Sequence, residues 1–313
     1  MAISGNGTTQ NNPNYLGVLF EIGQNATPFL NMVGGTNGAR PVNGVNFALN
    51  TNYVLDAAAQ PTISEDASVT GATASTFAQT QDENAIQIFQ RVAEVSYANA
   101  SDISTLGGVP NWAGNQNVTD KESAQIERNL RQMAKDLEYT MFNGAYTKWT
   151  ASNTASGTRG VSTAISTNSV DAALGALDKA MFNSLTKSMA DNGAELDNGQ
   201  CAIMVNSGYK QALSDLFVLQ ERSFDIGGVA VDTIATDFGM LAVQYAPQVS
   251  ATEILIVDVS KCSLAVLPTM GEALYIEELA KDGASSKTQI YGQFGMDYGH
   301  EVFHGKITNL PAV

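Results

Sequence analysis

Histidine and cysteine are nearly missing from this sequence, with 2 of each among 313 residues. Metal centres built from clustered imidazole and thiolate groups therefore have almost nothing to draw on, and no such cluster has metal-site spacing. Cys201 and Cys262 open the separate apolar runs CAIMV and CSLAV. They read as small buried hydrophobes in a reducing compartment, not as a disulfide framework. Positive charge is scarce too: 16 Lys and Arg stand against 31 Asp and Glu, a net charge of −15. That excludes a basic face able to hold nucleic acid by simple electrostatics. No apolar run is long enough to span a membrane. The opening residues MAISGNGTTQNNPN lack the basic and apolar regions of a secretory leader.

Apolar residues make up 44% of the chain, enough for a large core in two domains or one elaborated domain. The most legible stretch is VTDKESAQIERNLRQMAKDLEYTMFNG. Thr119 with Glu122 forms a capping box, and Ile126, Leu130, Met133, Ala134, Leu137 and Met141 recur at helical spacing. The spacing predicts a helix over 119–143, stopped by Gly144 in a left-handed conformation. Its apolar stripe needs a sheet or a helix to cover it.

Around that helix the chain divides by composition. Residues 1–44 are rich in Asn, Gly and Thr and have little with which to close a core, so they are expected to lie as an extended arm on other chains. Residues 45–98 hold an outgoing β run, VNFALNTNYVL, and a returning one, AIQIFQRVAEVSYA, joined by an Ala/Ser/Thr-rich middle. A lone two-stranded ribbon is marginal in water; such an arm is expected to dock on a neighbouring copy. From 169 to 192 the apolar spacing predicts a second helix ending at Gly193. Next come a buried strand at 201–205 and a helix at 207–217 with Ser207 as its cap. The strands VAVDTIA, LAVQYA and EILIVD complete a mixed α/β module over 166–257. The closing β runs, from Lys261 onward, are expected to cover the 119–143 helix, which makes the α/β module an insertion in a discontinuous domain.

Three motifs suggest enzyme chemistry. His300-Glu301-Val302-Phe303-His304 fits H-E-x-x-H, a zinc-protease signature when it lies on a helix. Here glycines flank it between β-patterned runs, and on a strand the two histidines would be too far apart to share a metal. Ser184-Leu185-Thr186-Lys187 fits S-x-x-K but lacks its companion strings. Gly34-Gly35-Thr36-Asn37-Gly38 lacks the Lys-Ser/Thr of a phosphate loop and reads as a turn. No catalytic, cofactor or metal site is expected.

The order of parts resembles the tailed-phage major capsid proteins of the Hong Kong 97 fold type. Local strings agree with it: ENAIQIFQRVAEVS, KDLEYTMFNGAY, ATDFG at 235–239 and LAKDGASSKTQI at 279–290. The resemblance implies an α+β fold with 1–44 as N-terminal arm and 45–98 as extended loop (β-arm). It implies a peripheral domain from 99–165 and 258–313, with its spine helix at 119–143, and an axial domain at 166–257. It also implies pentamers and hexamers of this chain in a virion shell around double-stranded DNA. Assembly would take place in the host cytoplasm, with separate scaffold, portal and decoration proteins as partners and no membrane. The long scaffolding segment of some members is not expected here, and no residue is matched to their intersubunit crosslink. An encapsulin-like compartment, or a zinc protease on 300–304, are the competing readings.

Charges scattered over the arm and helix are the candidate contact residues. Glu65 and Asp66 mark the acidic tip of the arm, Arg91 its return, and Arg128, Arg131 and Lys135 the long helix. The acidic tip is expected to meet these basic residues on an adjacent subunit. A single exposed pair contributes about 0–1 kcal/mol, but a shell repeats it many times.

Overall fold

The structure is a computed structural model and describes residues 27–35, 38–53, 58–71, 74, 76–77, 79–98, 121–218, 233–281 and 283–312. Residues 1–26, residues 99–120 with Thr119, and the start of VAVDTIA lie outside these.

The long helix α3 runs Lys121–Asn143. Its apolar stripe is the face that packs: Met133, Leu137, Met141 and Phe142 are buried, with Ile126, Leu130 and Ala134 against the same core. Glu122, in its first turn, accepts the hydroxyls of Ser286 and Thr288 at 3.1 and 2.6 Å, so this carboxylate fastens the helix to the sheet beneath it. Gly144 ends the helix for a reason other than the expected one. Its φ is not positive; a Cβ there would stand 2.4 Å from the Thr158 carbonyl oxygen and 2.5 Å from that of Thr140. Close backbone approach excludes any side chain.

The sheet that covers α3 has β1 (Arg40–Pro41), β10 (Ser263–Val266), β12 (Ser285–Asp297) and β11 (Leu274–Glu278) in that order, with β4 (Gln87–Ser96) also on β12. β4 and β12 pair antiparallel from Ser96↔Ser285 to Gln87↔Phe294. Phe89, Ala93 and Val95 alternate inward, toward α3.

The expectation that residues 1–44 lie on other chains is corrected for the part described. A short helix α1 (Pro28–Met32) packs on α3 of the same chain, with Phe29 stacked on Phe142 at 4.7 Å and Leu30 buried. Gly34 and Gly35, both at positive φ, make the turn after it, and β1 then pairs parallel with β10. Two large apolar side chains, each worth about 1.5–3 kcal/mol when buried, give this segment an anchor that its polar composition conceals.

A second, six-stranded sheet runs β5 (Ser169–Asp171), β13 (Gly305–Thr308), β9 (Ile254–Asp258), β6 (Cys201–Val205), β8 (Gly239–Tyr245), β7 (Thr233–Thr236). Strands β6 and β9 are apolar up to the terminal Asp258 because both faces are covered. Ile203, Val205, Ile254 and Ile256 face a core with Phe182, Leu185, Met189 and Leu213 from helices α5 (Lys179–Asp191) and α6 (Ser207–Val218). Ala202, Met204, Leu255 and Val257 face the core under α3. The two cores therefore meet across these strands.

Three further expectations change. Residues 169–178 are not helical: Ser169–Asp171 pairs parallel with Lys306–Thr308, and Ala173 and Leu174 turn at positive φ before α5 begins. Asp171 supports the turn by accepting from the Ala173 amide and the Asn309 side chain. Gly193 does end α5, at φ +91°. The cap of α6 is Asn206, whose Oδ1 accepts from the Tyr209 amide at 3.0 Å, and not Ser207. The closing strand β13 does not cover α3 but joins β5 and β9 in the second sheet.

Candidate functional site

Among the described residues the most exposed stretch belongs to an arm. Strand β2 (Asn46–Tyr53) leaves the body and pairs antiparallel with β3 (Gln79–Ala85), from Asn46↔Ala85 to Tyr53↔Gln79 with a register shift between Ala48 and Thr51. This corrects the expected pairing of the outgoing run with 85–98. The partner strand is QTQDENA, too polar to announce itself, while the apolar return run continues as β4 into the body. At the far end a six-residue helix α2 (Glu65–Thr70) is capped by Ser64, whose Oγ accepts from the Ala67 amide. Every residue from 58 to 71 is exposed, and Ile63, Val69 and Phe77 show 69%, 84% and 48% of their surface. A helix this short is not stable in water by itself. Among the described residues nothing packs over it: every residue of α2 is exposed.

The root of the arm, by contrast, is tightly held. Asn84 is fully buried; its Nδ2 donates to the carbonyls of Met296 (2.7 Å) and Arg159 (3.1 Å). Its Oδ1 accepts from the amides of Arg159 (2.7 Å) and Ala85 (2.9 Å). Asn46, beside it on β2, exchanges two hydrogen bonds with the Trp149 backbone. Glu83 bonds Lys148 at 2.6 Å and the Tyr146 hydroxyl at 2.9 Å. The Lys148 ammonium is the main reason its carboxyl stays below the usual range. Arg159 lies over the Tyr146 ring and donates to Tyr298 Oη. These contacts tie the ribbon to the 145–160 loop and fix its exit direction. Sequence reasoning missed them, although two asparagines beside alternating β residues are a usable signal.

Beside the root, β4 and α3 enclose an open groove of about 800 Å³. Arg91 points inward and pairs with Asp136 at 2.5 Å, and Gln132 donates to the other oxygen of that carboxylate at 2.8 Å. Lys135, Tyr139 and Ile88 complete the wall, the last two more than half exposed. Of the sequence-selected residues, the structure brings Arg91 and Lys135 together here. Arg131 is a turn earlier on α3, paired with Glu127, and half-buried Arg128 lies on the same helix. Glu65 and Asp66 occupy the first turn of α2 at the arm's tip, on a different element from all four basic residues.

The H-E-x-x-H pentad forms neither a helix nor a strand but a 3₁₀ turn, Glu301–Phe303. His304 is buried and both ring nitrogens are occupied: Nδ1 accepts from the Asp258 amide, and Nε2 bonds the Tyr298 carbonyl at 2.8 Å. Burial holds its pKa below the ordinary value. His300 instead caps the turn through the Val302 amide. Burial pushes the Glu301 carboxyl up, but the bonds it accepts from Thr167 and Ser166 outweigh this and leave it below its usual range. Among the described residues no group of His, Cys, Asp and Glu is arranged to hold a metal. Ser184 and Lys187 lie on α5, where Lys187 pairs with Asp191.

The fold matches solved shells over nearly its whole length. It is similar to the capsid of a native GTA particle (TM-score 0.66, 12% identity, 99% of each chain covered). It is also similar to the cyanophage A-1(L) capsid (TM-score 0.64, 10% identity, 97% and 98% covered). An encapsulin complex from Synechococcus elongatus PCC 7942 matches less closely, with TM-score 0.56, 11% identity and 88% and 85% covered. A search of curated protein sequences gives no match. The fold is thus that of a tailed-phage capsid subunit, a mixed α and β shell-protein fold. The chain belongs to the SU10 major capsid protein family, whose sequence profile matches residues 2–311. It is a structural protein of a virion and not an enzyme.

Proposed function

We propose that copies of this chain assemble into pentamers and hexamers of an icosahedral head that encloses double-stranded DNA without reading its sequence. Assembly would proceed in the host cytoplasm, with separate scaffold, portal and decoration proteins as partners. In this reading 1–44 is the N-terminal arm, 45–98 the extended loop, 99–165 and 258–313 the peripheral domain and 166–257 the axial domain. By strand pairing, β4 goes with the peripheral sheet and β13 with the axial one, so those two boundaries shift accordingly.

The observation that carries the reading is the arm's tip. Ile63, Val69 and Phe77 expose apolar surface around a helix too short to persist alone, and a shell of identical copies supplies the missing partner at every position. The tip's Glu65 and Asp66 would face Lys135, Arg91, Arg128 and Arg131 of the adjacent subunit. The test is the double reversal Glu65→Lys, Asp66→Lys: shells should form poorly while the subunit stays folded. Shells of normal yield from that variant would refute the contact. The likeness to the encapsulin complex supports a second reading, a cargo-holding compartment, and the contents of purified particles separate the two. Nucleic acid favours the head and a bound protein favours the compartment.

A further inference from the structure

One buried carboxylate lies outside both the arm and the groove. Glu138, on the core side of α3, is wholly inaccessible to solvent. Its Oε2 accepts from the Leu30 amide at 3.2 Å and its Oε1 from the Phe29 amide at 3.4 Å. These are the second and third residues of α1, whose own flanking residue, Thr27, makes no side-chain cap. The first helical position is Pro28, which has no N–H to satisfy, and the Asn31 amide already bonds the Thr27 carbonyl. Every open donor in the first turn of α1 is therefore met by a single side chain 108 residues further along the chain. Thr27 is also where residues 1–26 join the body.

From this geometry we infer that Glu138 is a latch, which fixes the root of the N-terminal limb to the long helix and releases it when its charge state changes. The inference goes beyond the shell reading and holds whether or not shells form. Burial pushes the carboxyl up to about 7 against the opposing pull of the Leu30 and Phe29 amides. The elements packed on α3 are α1, β4, β12 and the short helix α4 (Val161–Ala164). Neither α1 nor α4 carries a titratable side chain. On β4, Arg91 is bonded to Asp136, and Glu94 accepts from Ser285 and pairs with Lys287. On β12, Asp297 is bonded to Arg40. Lys135 and Tyr139 are the other ionisable neighbours along α3. No charge among these contributes to the shift at Glu138, which arises from burial and two amides alone.

The sign follows from linkage. With α1 docked the carboxyl titrates near 7; with α1 released it meets water and returns toward 4.5. Between those values the docked form holds a proton that the released form does not, so docking is strongest in acid and weakens as the pH rises through this range. The distance between those two values lets the docking equilibrium change on the order of 100-fold. The latch closes in acid and loosens above neutrality.

Hydrogen–deuterium exchange of the full chain tests this, with each rate divided by the intrinsic rate at that pH. Protection of residues 28–33 should fall on the order of 100-fold between pH 5 and 8, while strand β6 stays constant. In Glu138→Gln, which keeps an acceptor but does not titrate, protection should not vary with pH. A wild-type profile as flat as that of β6, or a variant profile as steep as wild type, would overturn the latch. Should the variant not fold, carboxyl ¹³C titration of the wild-type chain decides instead. A glutamate midpoint near 7 supports the inference, and midpoints all below about 5 end it.

Discussion

Replacing Asn84 by alanine should loosen the arm at its root and leave the rest of the fold recognisable. The side chain makes four hydrogen bonds in a site closed to solvent. Two of its partners are the part-buried backbone groups of Arg159, where water can take its place. The Met296 carbonyl and the Ala85 amide are buried and would lose their partner outright. At about 1–3 kcal/mol for each buried group left unsatisfied, the loss is about 2–6 kcal/mol, a large share of the roughly 5–15 kcal/mol that holds a typical domain together. Asn84→Asp should be no remedy, because it turns an oxygen toward the same two carbonyls. The assay is urea unfolding of the unassembled subunit, paired with limited proteolysis of the ribbon. Asn129→Ala, whose side-chain bond to the Gln125 carbonyl on α3 is exposed, serves as control and should shift stability by less than about 0.5 kcal/mol. If Asn84→Ala behaves like that control and the ribbon resists protease as before, the clamp has been misread.

Three other outcomes are expected. Gly144→Ala should cost more than an ordinary helix-end substitution, on the order of 2–3 kcal/mol in thermal unfolding, because the new Cβ meets two backbone oxygens at 2.4 and 2.5 Å. His304 is held neutral by burial, so its pKa in the folded chain lies below 6.5. The unfolded chain takes up that proton first as the pH falls, so stability from this site is complete above 6.5 and declines in acid. His304→Gln should remove that decline, in the opposite sense to the contribution of Glu138, and unchanged acid sensitivity in the variant would show that another group is responsible. Burial pushes the Cys201 thiol up to about 12 and the Cys262 thiol well above its ordinary value. A thiol reagent at pH 8 should therefore find neither in the native chain and both after denaturation; rapid native labelling would contradict their burial.

How far the sequence could be read depends on what each residue's signal is about. The stripe from Ile126 to Met141 is a statement about one helix and one core, and the packed face matches it. The runs CAIMV and ILIV are apolar throughout because both faces are buried, which is legible as a central strand. Residues 169–178 carry the same apolar spacing as a helix, yet Ser169–Asp171 is claimed by Lys306–Thr308, a partner more than a hundred residues away that periodicity does not register. Polar QTQDENA pairs as a strand although its first five residues are exposed, so neither burial nor alternation marks it. Phe29 and Leu30 were hidden in a polar stretch; Phe142 and Glu138 determine where they go. The H-E-x-x-H pentad misleads in the opposite direction, since His304 satisfies backbone groups at Asp258 and Tyr298. Of the six charged residues selected for contacts between subunits, Arg91 and Arg131 already hold partners on their own chain. What such residues do between copies is a property of the assembly, which no local pattern encodes.

Electron microscopy of the protein expressed alone probes the central claim most directly, that the arm's tip finds on a second copy the surface its own chain withholds. Closed particles, with density for residues 58–71 against the β4–α3 groove of a neighbouring subunit, are the expected result. A single compact molecule that persists at high concentration, its tip folded back on its own body, would contradict the account.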